Sequence, residues 1–424
     1  MEDLAVTTCP CVGSILIALI ATAAFSADDP RDPTRIRGWQ DDLDLLVKTI
    51  EEKHKNPFTK ITKTQFEDAA TELRTKIPEL QDHQILVGFL RLSAMIGDAH
   101  TTVGAGKGGR QFRNLPVGAV WTSEGLFIGA ATEEYKDLLR KRVTAIGTTP
   151  LHDVESKLAT LYATENESGR RDAARRSFVR VEALHALGLI DDLESVPILV
   201  EDTKGQRTVR IKPLPAAGQP KFIFAVDHQS KEAPISRRSP RDRYGMEWMQ
   251  EKKILYCWYD SCQDLPDRPV SVWCDEILKA IDSQPVERLV IDLRRNGGGN
   301  SSLAQRLIRG LRTRPQVNQK GTLFVLIGPG TYSSAMQNAL QLRQQTQAVL
   351  VGLPTGGSPN AFGEINFVDL PYSKWRVQYS TKFFRDTNEN VNTVSPDVTI
   401  EWTADEYFSG RDPTLERALK YDPK

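Results

Sequence analysis

The apolar residues Leu43, Leu46, Val47 and Ile50, and then Phe66, Ala69, Leu73 and Ile77, recur every three to four positions. That spacing lays one apolar stripe along a helix. Asp82 is expected to cap a further helix running through Ile85 to Met95. The pattern predicts a small N-terminal helical domain over residues 36–103. Leu115 to Ala131 alternates loosely and carries Gly118, Gly125 and Gly129, and Arg142 to Ile146 forms another short strand before Gly147 and Pro150 turn the chain. Asn166 to Leu189 returns to helical spacing, and Ser195 to Leu214 reads as a hairpin turning at Lys204-Gly205. A β-rich module over 112–215 is therefore expected. Gln229 to Arg243 is polar, basic and Pro-containing, which suits a long surface loop. Beyond it, Arg288 to Leu293, Thr322 to Ile327 and Ala348 to Val351 are short apolar strands with helical segments between them, the texture of a layered α/β core over 216–424.

The first segment differs from the rest. Val12 to Phe25 is apolar and rich in small residues and ends at Ala24-Phe25-Ser26, a step that suits signal peptidase, so residues 1–26 read as a signal peptide and the mature protein as exported, periplasmic or extracellular. Glu2 and Asp3 precede it without any Lys or Arg, against the usual charge rule, so a retained membrane anchor is the alternative. The apolar run is shorter than the roughly 20 residues that span a bilayer, which favours export without stable membrane insertion.

Across 424 residues Lys+Arg and Asp+Glu both total 55, so no net field draws the molecule to nucleic acid. A chain of this length implies two or three domains. Cys9 and Cys11 fall in the leader, leaving Cys257, Cys262 and Cys274. An odd number cannot all pair internally; Cys257 and Cys262 could bridge, or all three could be buried thiols. No Cys/His spacing suits zinc, and no metal or cofactor is expected.

Two strand ends carry candidate chemistry. Leu289 to Leu293 runs into Arg294-Arg295-Asn296-Gly297-Gly298-Gly299, where glycines let backbone approach a ligand. This loop matches neither the dinucleotide fingerprint nor the P-loop, and the other reading is an oxyanion hole of backbone N–H groups. Leu323 to Ile327 runs into Gly328-Pro329-Gly330-Thr331-Tyr332-Ser333-Ser334-Ala335 and then a helical stretch, which sets Ser333 at a strand-to-helix turn. Taken alone such a serine is more often an N-cap than a nucleophile.

Together Ile291-Asp292-Leu293-Arg294-Arg295-Asn296-Gly297-Gly298-Gly299, Thr331-Tyr332-Ser333-Ser334-Ala335 and Gly352-Leu353-Pro354-Thr355-Gly356-Gly357 resemble the C-terminal-processing, or tail-specific, serine peptidase family. The resemblance implies a crotonase-like ββα layered core, Ser333 as nucleophile, and Gly299 and Ser334 as donors to the oxyanion. The best-known branch places a lysine a few residues after the Gly-x-Pro-Thr motif, where this chain has Ser358. A histidine is then the base best suited near neutral pH. His100, in Ile96-Gly97-Asp98-Ala99-His100-Thr101-Thr102, resembles the Gly-Asp-x-His-Thr motif of the histidine-using branch, related to the tricorn protease core and to interphotoreceptor retinoid-binding protein. Glu364, downstream of the Pro-Thr-Gly-Gly turn, is the first choice for the acid that orients the imidazole, with Asp98 second. The middle module, with Gly125-Leu126-Phe127-Ile128 and Val143 to Pro150, resembles a divergent PDZ-like domain, and a plain β-rich spacer is its alternative.

These features imply a serine endopeptidase or C-terminal-processing peptidase acting on peptide or protein substrates through a Ser-His(-Glu) mechanism. The alternatives are a non-catalytic peptide- or lipid-binding protein on the same scaffold, or an esterase using the same triad.

Overall fold

The computed structural model describes residues 30–215, 220–230, 233–238 and 241–423. The expected signal peptide, with Cys9 and Cys11, lies outside the described residues. Three helices come first, Pro33–Lys53, Lys63–Lys76 and Asp82–Ala94. Asp32 caps the first by accepting from the Thr34 and Arg35 amides, with Pro33 pre-set at the first helical position. Thr62 and Gln65 close a capping box on the second. The third departs from expectation, because Gln81 occupies its cap and Asp82 lies inside the first turn. The Asp82 carboxylate is claimed by long-range partners instead, accepting from Arg35 Nε at 2.8 Å and Trp39 Nε1 at 2.9 Å, and pairing with Arg110.

The strands expected over 112–215 form a seven-stranded sheet together with Phe222–Phe224, which lies beyond that range. Its path runs Val117–Thr122, Gly125–Thr132, Arg142–Ile146, Val196–Asp202 and Gly205–Ile211, all antiparallel, with Thr149–Pro150 and Phe222–Phe224 attached at its side. The expected hairpin turns at Thr203-Lys204, where Asp202 Oδ1 accepts from the Lys204 amide. One continuous apolar core joins these strands to the N-terminal helices, with Trp39, Leu46, Phe89, Leu126, Ile146 and Ile198 all in it. Leu370, Trp375 and Val377 enter the same core from far along the chain. They belong to the hairpin Asn360–Asp369 and Trp375–Arg385, or the turn joining it, whose second strand pairs with Thr102–Ala105.

A second, six-stranded sheet is ordered Val398–Thr399, Val349–Gly352, Leu323–Ile327, Arg288–Asp292, Ile254–Tyr259 and Tyr244–Met249. Its neighbours are parallel except for the last pair. Every residue of Leu323–Ile327 is buried, as a parallel strand covered on both faces must be. Alternation divides the side chains cleanly. Ile291, Leu323, Val325 and Leu350 pack under the helices Val270–Ser283, Gln305–Arg312 and Ser334–Gln345, whereas Val290, Phe324, Leu326 and Val351 face Leu415 and Ala418 of Pro413–Leu419.

The loop expected at the surface over Gln229–Arg243 is partly buried. Arg237 is 4% exposed, stacks over the Tyr407 ring at 4.3 Å and donates to the Tyr407 and Arg411 carbonyls. The C-terminal segment covers this loop, which a local reading of polarity does not foresee. Cys257, Cys262 and Cys274 are all free and buried, so the Cys257–Cys262 bridge is not formed. Among the described residues no helix is long and apolar enough to cross a membrane.

Candidate active site

The parallel strands Arg288–Asp292 and Leu323–Ile327 end at the same edge of their sheet, the edge where open α/β sheets gather their chemistry. Their two loops are stitched together. Thr331 Oγ1 donates to the Leu293 carbonyl at 2.9 Å and accepts from the Gly328 amide, and the Tyr332 amide donates to the Asn296 carbonyl at 3.0 Å. Asn296, fully buried, donates to the Tyr259 carbonyl and accepts from the Gly298 amide, which fixes the glycine turn from below.

Both Gly298 (φ +109°) and Gly299 (φ +134°) adopt backbone that side chains resist. A Cβ on Gly298 would meet Ser333 Cβ at 2.7 Å, and one on Gly299 would meet the Cys262 carbonyl at 2.2 Å. The glycines therefore let the loop lie directly against Ser333. Ser334 Oγ donates to the Gly299 carbonyl at 2.7 Å. Neither the Gly299 nor the Ser334 amide is taken by a backbone acceptor among the described residues.

Ser333 stands at the cap position of Ser334–Gln345, yet its hydroxyl makes no capping bond. Its backbone is at φ +51°, ψ −126°, a costly conformation for a residue with a Cβ. The bland N-cap reading thus fails. A strained turn holds the hydroxyl free at a helix N-terminus, where the dipole favours developing negative charge.

His100 reaches this turn from the other end of the chain. Its ring stacks on Tyr332 with centroids 4.9 Å apart, and Nδ1 lies 3.3 Å from the Tyr332 hydroxyl. Nε2 is buried without a hydrogen-bond partner. The segment carrying it is braced by Asp98, which accepts from the His100 amide at 2.9 Å, from Thr101 Oγ1 at 2.5 Å and from His54 Nε2 at 3.0 Å. The His100 carbonyl accepts from Gln378 Nε2 at 2.7 Å. Burial pushes the His100 imidazole below its ordinary value, against the opposing pull of Asp98. Burial works to raise the Asp98 carboxyl, but the bonds from His54, Thr101 and the His100 amide outweigh it and hold Asp98 low.

His100, Gly299, Ser333, Ser334 and Glu364 all line one cavity of about 260 Å³, with Ser358, Phe362 and Asp386 also in its wall. The five residues expected at the site are thus brought to one place. Their roles are not equally prepared. Glu364 sits at φ +56° on the rim, its side chain 63% exposed and its carboxylate 3.6 Å from Lys382, with no hydrogen bond to His100 among the described residues.

The sequence reading missed Tyr332 as a partner of the imidazole, and it missed Glu165 altogether. The donor atoms of Asp98, His100 and Glu165 lie within 4.8 Å of one another. Such a trio could offer one ligand each to a divalent cation, but both Asp98 oxygens already accept hydrogen bonds. Nothing in Thr164-Glu165-Asn166 marks chemistry, since an acid beside an Asn cap is ordinary at a helix start.

Residues 268–400 match the model of Peptidase family S41. No curated protein matches the chain. Among solved structures, mature CPAF superposes with a TM-score of 0.61 at 14% identity, covering 92% of this chain and 99% of that one. Mature CPAF complexed with lactacystin gives 0.60 at 13% identity, covering 92% and 100%. At that identity the likeness is one of fold, and the stretch that matches the family model takes in both the glycine loop and the Ser333 turn.

Proposed function

We propose that this protein hydrolyses peptide bonds of peptide or protein substrates, with Ser333 as nucleophile and His100 as its general base. Nε2 of His100 takes the Ser333 proton as Oγ attacks the substrate carbonyl carbon. The Gly299 and Ser334 N–H groups hold the oxyanion; the tetrahedral intermediate then collapses, and the imidazolium returns its proton to the departing amine. Water, deprotonated by the same nitrogen, hydrolyses the acyl-enzyme and frees Ser333. The core in this reading is crotonase-like, the seven-stranded module is PDZ-like and takes extended peptide ends, and the protein works after export.

One observation carries the proposal: the strained Ser333 turn with an uncapped hydroxyl shares a cavity with a buried, unpartnered His100 Nε2. A binding protein has no need to keep either feature. The deciding experiment is labelling with a fluorescent fluorophosphonate. Labelling of the wild type, its loss in Ser333→Ala and its weakening in His100→Ala are expected, and an unlabelled wild type would favour a non-catalytic binding protein.

A further inference from the structure

Glu165 lies just ahead of the helix Glu167–Ser177 in the middle module, yet its carboxylate accepts from the Ser358 amide at 2.5 Å, on the turn that borders the catalytic cavity. Its neighbours grip the same turn. Asn166 Nδ2 donates to the Thr355 carbonyl at 3.1 Å, the Gly356 carbonyl at 3.3 Å and the Asn392 carbonyl at 2.8 Å. Ser168 Oγ donates to the Pro354 carbonyl at 2.7 Å, and a Cβ on Gly169 would meet the Gly356 carbonyl at 2.8 Å. The gripped turn touches the nucleophile in its turn, since a Cβ on Gly357 would lie 3.1 Å from the Ser333 amide nitrogen.

For anchoring alone, Asn166 and Ser168 suffice. A carboxyl enclosed beside them is costly to bury, and it lies within 4.8 Å of both His100 and Asp98. Glu364, by contrast, turns its carboxylate to solvent and Lys382.

We propose that Glu165 is the positioning acid of His100, so that the middle module completes the catalytic site by supplying its second carboxyl. The inference rests on the peptidase reading of Ser333 and His100. The groups facing Glu165 are Asp98, itself held by His54, and His100 and Tyr332. Burial pushes the Glu165 carboxyl up to about 8, offset by the Ser358 amide and reinforced by the charge of Asp98. Below that pH Glu165 is neutral. Above it, a second negative charge stands by His100 and stabilises the imidazolium formed when Ser333 gives up its proton, so the base strengthens.

The test is the rate of fluorophosphonate labelling of the full chain from about pH 5.5 to 9.5, a window chosen to bracket both titrations. The wild type is expected to show a lower rise from His100 and a further rise near pH 8. Glu165→Gln keeps an acceptor for the Ser358 amide. It should stay within about threefold of wild type near pH 6 and fall about tenfold below it near pH 9.5, losing only the upper rise. Asn166→Ala loosens the same turn without touching the carboxyl and should depress the rate evenly at all pH.

A Glu165→Gln profile that follows the wild type overturns the inference alone, as does an even, pH-independent loss in that variant. Loss of the upper rise in Glu364→Gln, with Glu165→Gln unchanged, would return the role to Glu364. A wild type that does not label overturns the peptidase reading and this inference with it.

Discussion

The Tyr332 hydroxyl lies 3.3 Å from His100 Nδ1 and its ring stacks on the imidazole, so the residue before Ser333 sets the plane of that ring. Burial first, and then the charges of Glu165 and Asp98, push the phenol well above its ordinary value, which keeps it neutral at any working pH. Tyr332→Phe retains the stack and removes the polar contact. Labelling of Ser333 is expected to slow by about tenfold with little change in melting temperature. Tyr332→Ala, which frees the ring to rotate, should slow it by about a hundredfold.

His54 and Asp98 form a buried pair at 3.0 Å, with side chains 0% and 1% exposed. Removing the imidazole leaves a buried carboxylate short of a partner, so His54→Ala is expected to cost about 3 kcal/mol in urea unfolding and to loosen the His100 segment. The folded Asp98 carboxyl titrates below its ordinary value of 3.8. Its stabilising contribution is therefore complete above that value and is lost as the pH falls through the folded titration. The urea unfolding midpoints of wild type and His54→Ala should therefore draw together at acid pH, once Asp98 is protonated.

Gly299→Ala would drive a methyl group into the Cys262 carbonyl, at a backbone angle of +134° that alanine resists. The expected outcome is loss of Ser333 labelling by at least a hundredfold, the scale at which an oxyanion donor acts. Because the loop only follows the end of Arg288–Asp292, a buried interior strand of its sheet, the protein should still unfold cooperatively. Circular dichroism melts alongside labelling check both parts.

Arg294 is the hub of a separate network beneath the site, donating to Asp292 and to Asp412 at 2.7 Å each. Burial alone would raise the Asp292 carboxyl, but the guanidinium and the Tyr256 hydroxyl hold it down to about 2. Its contribution is present above the ordinary 3.8 and disappears as the pH falls toward 2, roughly 2 kcal/mol in all. Arg294→Met strands two buried carboxylates and should cost about 3–5 kcal/mol near neutral pH. That penalty should shrink in acid, where the carboxyls become neutral, and chemical denaturation at two pH values measures it.

The Ser333 turn and the glycine loop could be read from sequence because both are local: an apolar strand, a break, a helix. His100 was reachable because its Gly-Asp-x-His-Thr segment is also contiguous. What escaped is contact between segments with no shared pattern. The grip of Asn166 and Ser168 on Pro354 to Gly356, and the stacking of Tyr332 on His100, depend on how sheets and helices dock, which residue spacing does not encode. Asp82 shows the same limit. Its local propensity is to cap a helix, and Arg35, Trp39 and Arg110 outbid that propensity from a distance. Glu364 is expected at the site for its place after a turn, and only the fold reveals that its carboxylate looks outward.

His100 and Tyr332 are 232 positions apart along the chain. During synthesis the imidazole emerges long before the Ser333 hydroxyl, and a fragment that ends short of the second sheet holds one without the other. On the peptidase reading, cutting power thus waits until both segments are made and docked, so a half-finished copy is harmless to its surroundings.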